Sequence, residues 1–460
     1  MRKKYFGDKK FYAMVLAVAM PIMIQNAITN FVGLLDNIMV GRVGELPMSG
    51  VAIVNQLLFV FNLCIFGAVS GPGIFTAQFH GARDDEGIRH TFRFKLMICG
   101  MIATVGICLF AFASEPLISL YLKGEGTPED IAATLSYGKE YLKIMLWGLV
   151  PFALTNIYSG TLRETGETMV PMTGGIAAVL VNLFFNYVLI FGHFGLPAMG
   201  VKGAAVATVI SRYVELAIVA GWTHLNSAKK PFIRGAYRSL AIPGALTKKL
   251  IVKGLPLLVN EALWSAGMAM MNQCYSLRGL EVVAAYNISN TIWNVFSVSF
   301  LTMGNAVGII IGQMLGAGKE REEVIDTDRK LVVFSVLLCI VFGLGLSALS
   351  GVFPQIYDAS ASVRSLATQM ILVGAFFMPF CAYTNASYFT LRSGGKVAVT
   401  LLFDCVFVWV VCVPLATCLA RFTSLPIVPL YFCCQATEVI KCGLGYFMLK
   451  KGTWVQNIVS

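Results

Sequence analysis

The sequence predicts an all-α integral membrane protein, with twelve transmembrane helices in two six-helix lobes related by an internal parallel repeat. Three observations predict this fold class. Hydrophobic residues make up 57% of the 460-residue chain and charged residues 13%, roughly half the charged share of a soluble domain. Apolar runs long enough to cross a bilayer recur along the chain. One stretch of the first half returns in the second half.

The apolar runs fall into two sets of six, near residues 11–40, 48–79, 92–113, 137–161, 168–191 and 200–222, and near 248–277, 283–315, 330–352, 364–390, 396–420 and 427–449. From these sets we predict an N-terminal lobe over 1–222 and a C-terminal lobe over 247–460. The segment 223–246 is polar and basic and contains two prolines, so we expect it to link the lobes on the cytoplasmic side. The acidic segment 114–136 is expected to be an outer loop.

The internal repeat begins at Pro21 and returns 235 positions later, at Pro256, without a gap over some sixty residues. Residue types that coincidence rarely aligns recur in this frame: Pro21 and Pro256, Gly44 and Gly279, Asn55 and Asn290, Gly73 and Gly308, Gln78 and Gln313, Gly81 and Gly316. A weaker match, Leu162-Arg163 with Leu391-Arg392, falls at the exit of the fourth helix of each half. Paired repeats in a membrane chain are typical of transporters, with the binding site at the repeat interface.

The basic residues predict the orientation of the helices. They cluster in the N-terminal segment, in the second loop, in the central linker and in the loop after the eighth helix, whereas the alternate loops are poor in them. Both termini and the linker are therefore expected to be cytoplasmic, and the first apolar run is expected to be an uncleaved span. This topology accounts for the net charge of +11 without nucleic acid as a partner.

Several classes of function are disfavoured by missing motifs. The twelve cysteines lie in or beside apolar runs without a CxxC pair, so we expect packing residues and neither a disulfide framework nor a metal site. An intramembrane enzyme would need clustered His, Asp or Ser, and the four histidines are scattered. No Walker loop is present, so we expect no ATP and no cofactor, and an ion gradient remains as the energy source.

Polar residues inside the first-lobe spans are candidate ligands for a cation or a proton. Asp36 lies in the outer part of the first helix, although a residue there could also simply reach interfacial water. Asn182 and Asn186 are four residues apart and share a helix face, where their oxygens suit a small hard cation or their amides join helices by hydrogen bonds. Thr208, on the sixth helix, could instead bond back to its own helix.

The second lobe carries two carboxylates inside spans, Glu261 on the seventh helix and Asp404 on the eleventh, at comparable depth. Two such groups cannot both be charged in a dry site, so one would be protonated or the two would share a cation. Separate pairing of each with a basic or polar group is the alternative. Arg212 is the main basic residue expected in mid-span.

Taken together, these motifs resemble the MATE (multidrug and toxic compound extrusion) family over nearly the whole chain. The resemblance is carried by motifs in a fixed order: Asp36 with Val40-Gly41 and Gly44, Gln78 with Gly81-Ala82, Leu162-Arg163 with Gly166, Asn182 with Asn186-Tyr187, Gly203-Ala204-Ala205 with Thr208, and Gln313 with Gly316. It implies two six-helix lobes, and a monomeric antiporter of the plasma membrane that exports amphipathic, cationic organic compounds against sodium or protons. A flippase for a lipid or a lipid-linked saccharide is the alternative.

The resemblance also implies site residues. It places a cation site, for a proton or for sodium, on Asp36, Asn182, Asn186 and Thr208, although some members have an aspartate at the position of Asn186. Glu261 matches a glutamate of the seventh helix that many members use. Because an aspartate of the tenth helix in some members has no counterpart here, we expect Asp404 to take its place in a second-lobe site for protonation or substrate.

Overall fold

Long α-helices make up most of the chain in the computed structural model, which describes residues 5–122, 127–357 and 359–459. In chain order they are α1 Lys9–Gly41, α2 Glu45–Gly81, α3 Asp85–Phe112, α4 Pro128–Glu164, α5 Met169–Phe191, α6 Val201–Leu225, α7 Gly244–Ser276, α8 Leu280–Gly316, α9 Arg321–Leu349, α10 Ala361–Ser393, α11 Val397–Phe422 and α12 Ile427–Lys450. The described residues contain no β-strand. The predicted all-α membrane fold is therefore confirmed.

Eleven of these helices, within the described residues, are long and apolar enough to cross a membrane. The twelfth, α7, falls short of that criterion, because it carries Lys248, Lys249 and Lys253 near its start and Asn260 and Glu261 in its middle. Its position in the repeat nevertheless pairs it with α1. The chain is thus a multi-pass membrane protein, as its apolar runs predict.

The internal repeat reappears in the boundaries of the helices. Shifted by 235 positions, Lys9–Gly41 gives Gly244–Ser276, and Glu45–Gly81 gives Leu280–Gly316. Each helix of both pairs has the same length as its counterpart, 33 residues in one pair and 37 in the other. The frame read from prolines, glycines and amides therefore describes a structural duplication.

The chain divides into two compact units. The C-terminal unit consists of the residues up to Met23, Ala77–Asp84 and the residues from Val252 onward, and the N-terminal unit consists of Ile24–Thr76 and Asp85–Ile251. Residues of α1 and α2 thus belong to both units. The lobe boundaries at 222 and 247, and the linker between them, stay a prediction.

Within the C-terminal unit, the end of α2 crosses the end of α8 at two glycines equivalent in the repeat. A Cβ atom on Gly81 would collide with the backbone oxygen of Gln313, and one on Gly316 would collide with the backbone oxygen of Gln78. The two backbones therefore touch directly, as small residues allow in membrane helices. This close approach is the physical reason for a glycine at the equivalent position of both repeats.

The start of α4 corrects one expectation about loops. The segment 114–136, expected to be a loop, contains a short helix at Ser114–Ser119 and the first turns of α4 from Pro128. Thr127 and Asp130 form a reciprocal capping box and Pro128 occupies the first helical turn, which together fix the start of the helix. The acidic residues Glu129 and Asp130 thus stabilise a helix end.

The helices α5 and α6 pack closely, and this contact positions three predicted site residues. Gly203 on α6 lies against the backbone of α5, where an added Cβ would meet Leu189 O at 2.6 Å and Ile190 N at 2.9 Å. Such contacts require the backbone to shift. A larger residue at 203 would therefore separate Thr208 from Asn182 and Asn186.

We predict that Gly203→Ala lowers the free energy of unfolding by about 1–3 kcal/mol, because the added methyl group overpacks a backbone contact. The matched control is Gly221→Ala on the same helix, where an added Cβ meets nothing within 4 Å. That control should be neutral or slightly stabilising, since alanine is the better helix former. Thermal unfolding of the two variants in detergent measures the difference, and equal stability would contradict the role assigned to the contact.

Candidate functional site

The N-terminal unit brings together the four residues predicted for the cation site. Asp36 lies in the last third of α1, Asn182 and Asn186 lie one turn apart on α5, and Thr208 lies on α6. The Asn186 side chain donates a hydrogen bond from Nδ2 to Asp36 Oδ1 at 2.7 Å. Asn186 is 1% exposed and Asp36 is half-buried, so this bond joins α1 to α5 at a site partly shielded from water.

Asn182 connects Asp36 to Thr208. In one orientation of its amide, Asn182 Oδ1 accepts a hydrogen bond from Asn186 Nδ2 at 3.1 Å. In the other orientation its NH2 faces Asp36, 3.0 Å from each carboxylate oxygen, and its carbonyl oxygen can accept from Thr208 Oγ1 at 3.3 Å. Thr208 Oγ1 also lies 3.0 Å from the Ala204 carbonyl oxygen, to which it can donate. The carboxylate is therefore surrounded by two amides, with a hydroxyl behind them.

This arrangement has the donor set for a small cation or a proton. The carboxylate, the amide carbonyls and the hydroxyl are hard oxygen ligands. Asn186 Oδ1 is buried and has no hydrogen-bond partner among the described residues, so the site contains an acceptor that its present contacts do not use. Rotation of the amides would turn their oxygens toward a cation at Asp36. Whether these residues bind an ion stays a prediction.

Tyr141 is a neighbour of this site that the sequence analysis did not single out. It lies on α4, is 5% exposed, and its hydroxyl interacts with Thr208 and with the charges of Asp36 and Arg212. In the sequence it is one tyrosine among sixteen. Only the rotation of α4 about its axis, which an apolar run does not reveal, turns it toward Asp36.

The C-terminal unit holds Glu261 in a separate polar network. Tyr388, on α10, donates a hydrogen bond from its hydroxyl to Glu261 Oε1 at 3.3 Å. Arg392, one turn further along α10, lies with Nη1 3.9 Å from the same oxygen. Both Glu261 and Arg392 are largely buried, with side-chain exposures of 17% and 6%. Glu261 thus has a cationic partner, held at the outer limit of an ion pair.

Asp404 has a different and closer cation. Lys441, on α12, lies with Nζ 2.7 Å from Asp404 Oδ1, and Asn260, on α7, donates from Nδ2 to Asp404 Oδ2 at 3.3 Å. The same Asn260 group lies 3.3 Å from the Tyr388 hydroxyl. Asp404 itself lies in a π-helical segment of α11, Leu402–Val406, and such segments are frequent at functional sites.

These contacts bear on the expectation that one of Glu261 and Asp404 is protonated or that the two share a cation, which stays a prediction. The described contacts show the stated alternative, in which each carboxylate pairs with its own basic residue. The physical reason is that Arg392 and Lys441 project into the same region from α10 and α12. The two carboxylates are linked only indirectly, through Tyr388 and Asn260.

Arg212, the main basic residue expected in mid-span, is engaged by groups of its own unit. Arg212 donates to the Gly148 carbonyl oxygen at 3.1 Å and stacks its guanidinium 4.7 Å over the Phe152 ring. Four other basic residues of the described chain are more deeply buried. Arg93 donates to backbone carbonyl oxygens, whereas the other three pair with carboxylates: Lys95 with Glu164, Arg392 with Glu261, and Lys441 with Asp404. In the sequence, Lys441 is marked by its place within an apolar run.

Comparison with known proteins places the sequence among transporters. The MatE family model matches residues 21–188 and again residues 256–418, and the two matches begin at the two prolines that open the repeats. A probable multidrug resistance protein NorM of Thermotoga maritima is 25% identical over 449 residues, which cover 97% of this chain and 93% of that protein. The multidrug resistance protein PmpM of Pseudomonas aeruginosa is 27% identical over 406 residues, covering 87% and 82%.

Solved structures show the same fold. A crystal structure of MATE in complex with MaL6 superposes with a TM-score of 0.85 at 17% identity, covering 99% of this chain and 98% of that one. An outward-facing multidrug resistance MATE family transporter gives a TM-score of 0.83 at 18% identity, with the same coverage. The family model covers well over half of the sequence, in two copies and in the frame of the repeat. The chain therefore belongs to the MatE family, as the order of its motifs indicates.

Proposed function

We propose that the chain is a secondary antiporter that exports amphipathic, cationic organic compounds across the plasma membrane in exchange for sodium ions or protons. The observation that carries this proposal is the contact of Asp36 with Asn182 and Asn186 inside membrane helices of one unit. The names of the relatives NorM and PmpM support multidrug export as the direction and the substrate class. This is transport, and the proposal involves no enzymatic reaction and no cofactor.

Coupling in this proposal rests on Asp36 as the group that the external ion binds. When Asp36 is ionised, it accepts hydrogen bonds that hold α1 against α5. Protonation, or a cation at the carboxylate, changes that contact and so changes the balance between conformations of α1. An ion and a solute exchange for each other when they favour different states of the same element.

The C-terminal unit would contact the substrate through Glu261. Its Arg392 partner lies 3.9 Å away, whereas Lys441 lies 2.7 Å from Asp404. Glu261 is therefore the more easily released of the two carboxylates, and we propose it as the group that takes a proton or the cationic group of a substrate. Asp404 would act through Lys441.

The basic loops support a topology with both termini in the cytoplasm, and we propose a monomer surrounded by membrane lipids as the working form. The flippase alternative loses its main support, since Arg212 is engaged by Gly148 and Phe152, and Lys95, Arg392 and Lys441 are paired with carboxylates. A lipid pyrophosphate would have to displace these partners.

We predict that Asp36→Asn abolishes ion-driven efflux. The substitution keeps the size of the side chain but removes the charge that attracts a proton or cation, and a loss of ~1.4 kcal/mol in ion binding alone reduces affinity about tenfold. The measurement is efflux of a fluorescent organic cation from proteoliposomes under an imposed sodium or proton gradient.

The matched control for this variant is Asp328→Asn. Asp328 is also a buried carboxylate, 4% exposed, and it accepts a hydrogen bond from Thr390 in the C-terminal unit. The control should retain gradient-driven efflux if folding is preserved. Wild-type efflux by Asp36→Asn would rule out the proposed coupling site.

Thr208→Val should identify the coupling ion, because it removes one oxygen ligand at nearly constant shape. If sodium is the ion, we expect the sodium concentration for half-maximal efflux to rise roughly 5–30-fold, the equivalent of ~1–2 kcal/mol for one lost polar contact. If protons are the ion, the response to a pH jump should stay close to that of the wild type. Efflux is measured after a sodium jump at constant pH and after a pH jump without sodium. Failure of both gradients to drive efflux in the wild type would contradict antiport.

A further inference from the structure

Lys441 is the feature of the C-terminal unit that the proposed function does not explain. It lies in the middle of α12, with 7% of its surface exposed. Its Nζ atom lies 2.7 Å from Asp404 Oδ1 and 5.2 Å from the centre of the Phe403 ring. A lysine on a long stem is costly to keep inside a membrane helix bundle, so such a residue calls for a functional reason.

The groups near the ammonium have the chemistry of a site for a monovalent cation. Asp404 supplies the carboxylate, and Glu438, one turn before Lys441 on α12, adds a second negative charge that interacts with Lys441. Glu438 is oriented by the Thr384 hydroxyl, which donates to Oε2 at 2.8 Å. Asn260 is 1% exposed, and its Oδ1 has no partner among the described residues. Carboxylates and an amide oxygen are ligands that a free cation would also use.

Asp36, in the N-terminal unit, is held by groups without charge. The side-chain partners of Asp36 in the described part of the chain are neutral amides, and no ion pair there includes it. Asp36 and Asp404 therefore differ in whether a positive side chain balances their charge. Asp404 is paired with an ammonium group of the protein itself, whereas Asp36 can bind a cation or a proton from solution.

We propose that Lys441 is a tethered cation, whose ammonium group occupies the place that an external monovalent cation would take beside Asp404 and Glu438. The Asp404 site then stays charge-balanced without binding a coupling ion, and Lys441 keeps the external ion from acting there. The effect of Lys441 on transport rests on the proposed function. The test below measures cation binding, so its outcome is independent of transport.

The experiment replaces the tether by a free cation of the same shape. Lys441→Ala removes the part of the side chain that corresponds to n-propylammonium. The variant is made in an Asp36→Asn background, so that the N-terminal site contributes no ion binding. Thermal unfolding of the purified protein is compared in choline, sodium and n-propylammonium chloride at equal ionic strength.

We expect n-propylammonium, and to a lesser degree sodium, to raise the Tm of Asp36→Asn/Lys441→Ala by roughly 2–4 °C or more over choline, because a ligand that binds the folded state stabilises it. Asp36→Asn alone and Asp36→Asn/Lys441→Arg should show no such difference beyond any rise from n-propylammonium at Glu261, which all of these variants share. The matched control is Lys330→Ala in the same background, which removes a partly exposed lysine from its pair with Asp326 and should also show no difference.

Two results would overturn the proposal. One is a cation-dependent rise in Tm for Asp36→Asn alone that equals the rise for the Lys441→Ala variant, since the response would then not depend on the removal of Lys441. The other is the same Tm in all three salts for the Lys441→Ala variant. If that variant folds only with n-propylammonium present, the proposal is supported. If neither it nor Lys441→Gln folds in any of the three salts, a free cation cannot replace the lysine and the proposal is overturned.

Discussion

The cost of polar groups inside apolar helices is the constraint on which the rest of this structure depends. Hydrocarbon offers no hydrogen bonds, so a charge within a span needs a partner from the protein itself. Lys95 with Glu164 and Lys441 with Asp404 meet this requirement as ion pairs within their own units. Asp36 meets it with neutral amides. The kind of partner, more than the position in the fold, distinguishes these carboxylates.

The duplication supplies the framework and leaves the chemistry free to differ. The first two helices of each half have identical lengths and a common frame, and the glycines of the α2–α8 crossing are retained in both copies. The charged groups are not retained, since Asp36 falls on Met271 and Glu261 falls on Asn26 in that frame. Backbone contacts require a particular residue in both copies, whereas a polar site requires it only where the ion or substrate binds.

Much of the fold and half of the site could be predicted from the sequence. Apolar runs predict the helices, and the spacing of Asn182 and Asn186 predicts a shared face, because both signals are local along the chain. Only the resemblance to the MATE family predicted that Asn182 and Asn186 lie close to Asp36. The partners Arg392, Lys441 and Asn260 were missed, because which side chains meet across helices depends on rotation and register, which hydropathy does not encode.

The π-helical segments of α11 are also a feature that could not be predicted from the sequence. No residue type in Leu402–Val406 indicates a widened turn, yet this segment carries Asp404, the partner of Lys441. A lysine on one helix reaches a carboxylate on another only when both helices have the right rotation, and a π-helical turn changes that rotation locally. The sequence therefore reveals the charges but not which of them pair.

The difference between the two carboxylates has a consequence for proton or cation binding. Neutralising Asp404 would leave the buried Lys441 ammonium without its closest counter-charge, and an uncompensated buried charge is costly. Neutralising Asp36 leaves behind only amides, which can rotate to offer oxygen in place of NH2 and so adapt to the new charge. Asp36 is therefore the carboxylate whose charge can change within a transport cycle at low cost, whereas the Asp404–Lys441 pair favours constant charge. Asp36 therefore suits the role proposed for it as the group that takes up the coupling ion, and the Asp404–Lys441 pair suits the role proposed for a site that does not take it up.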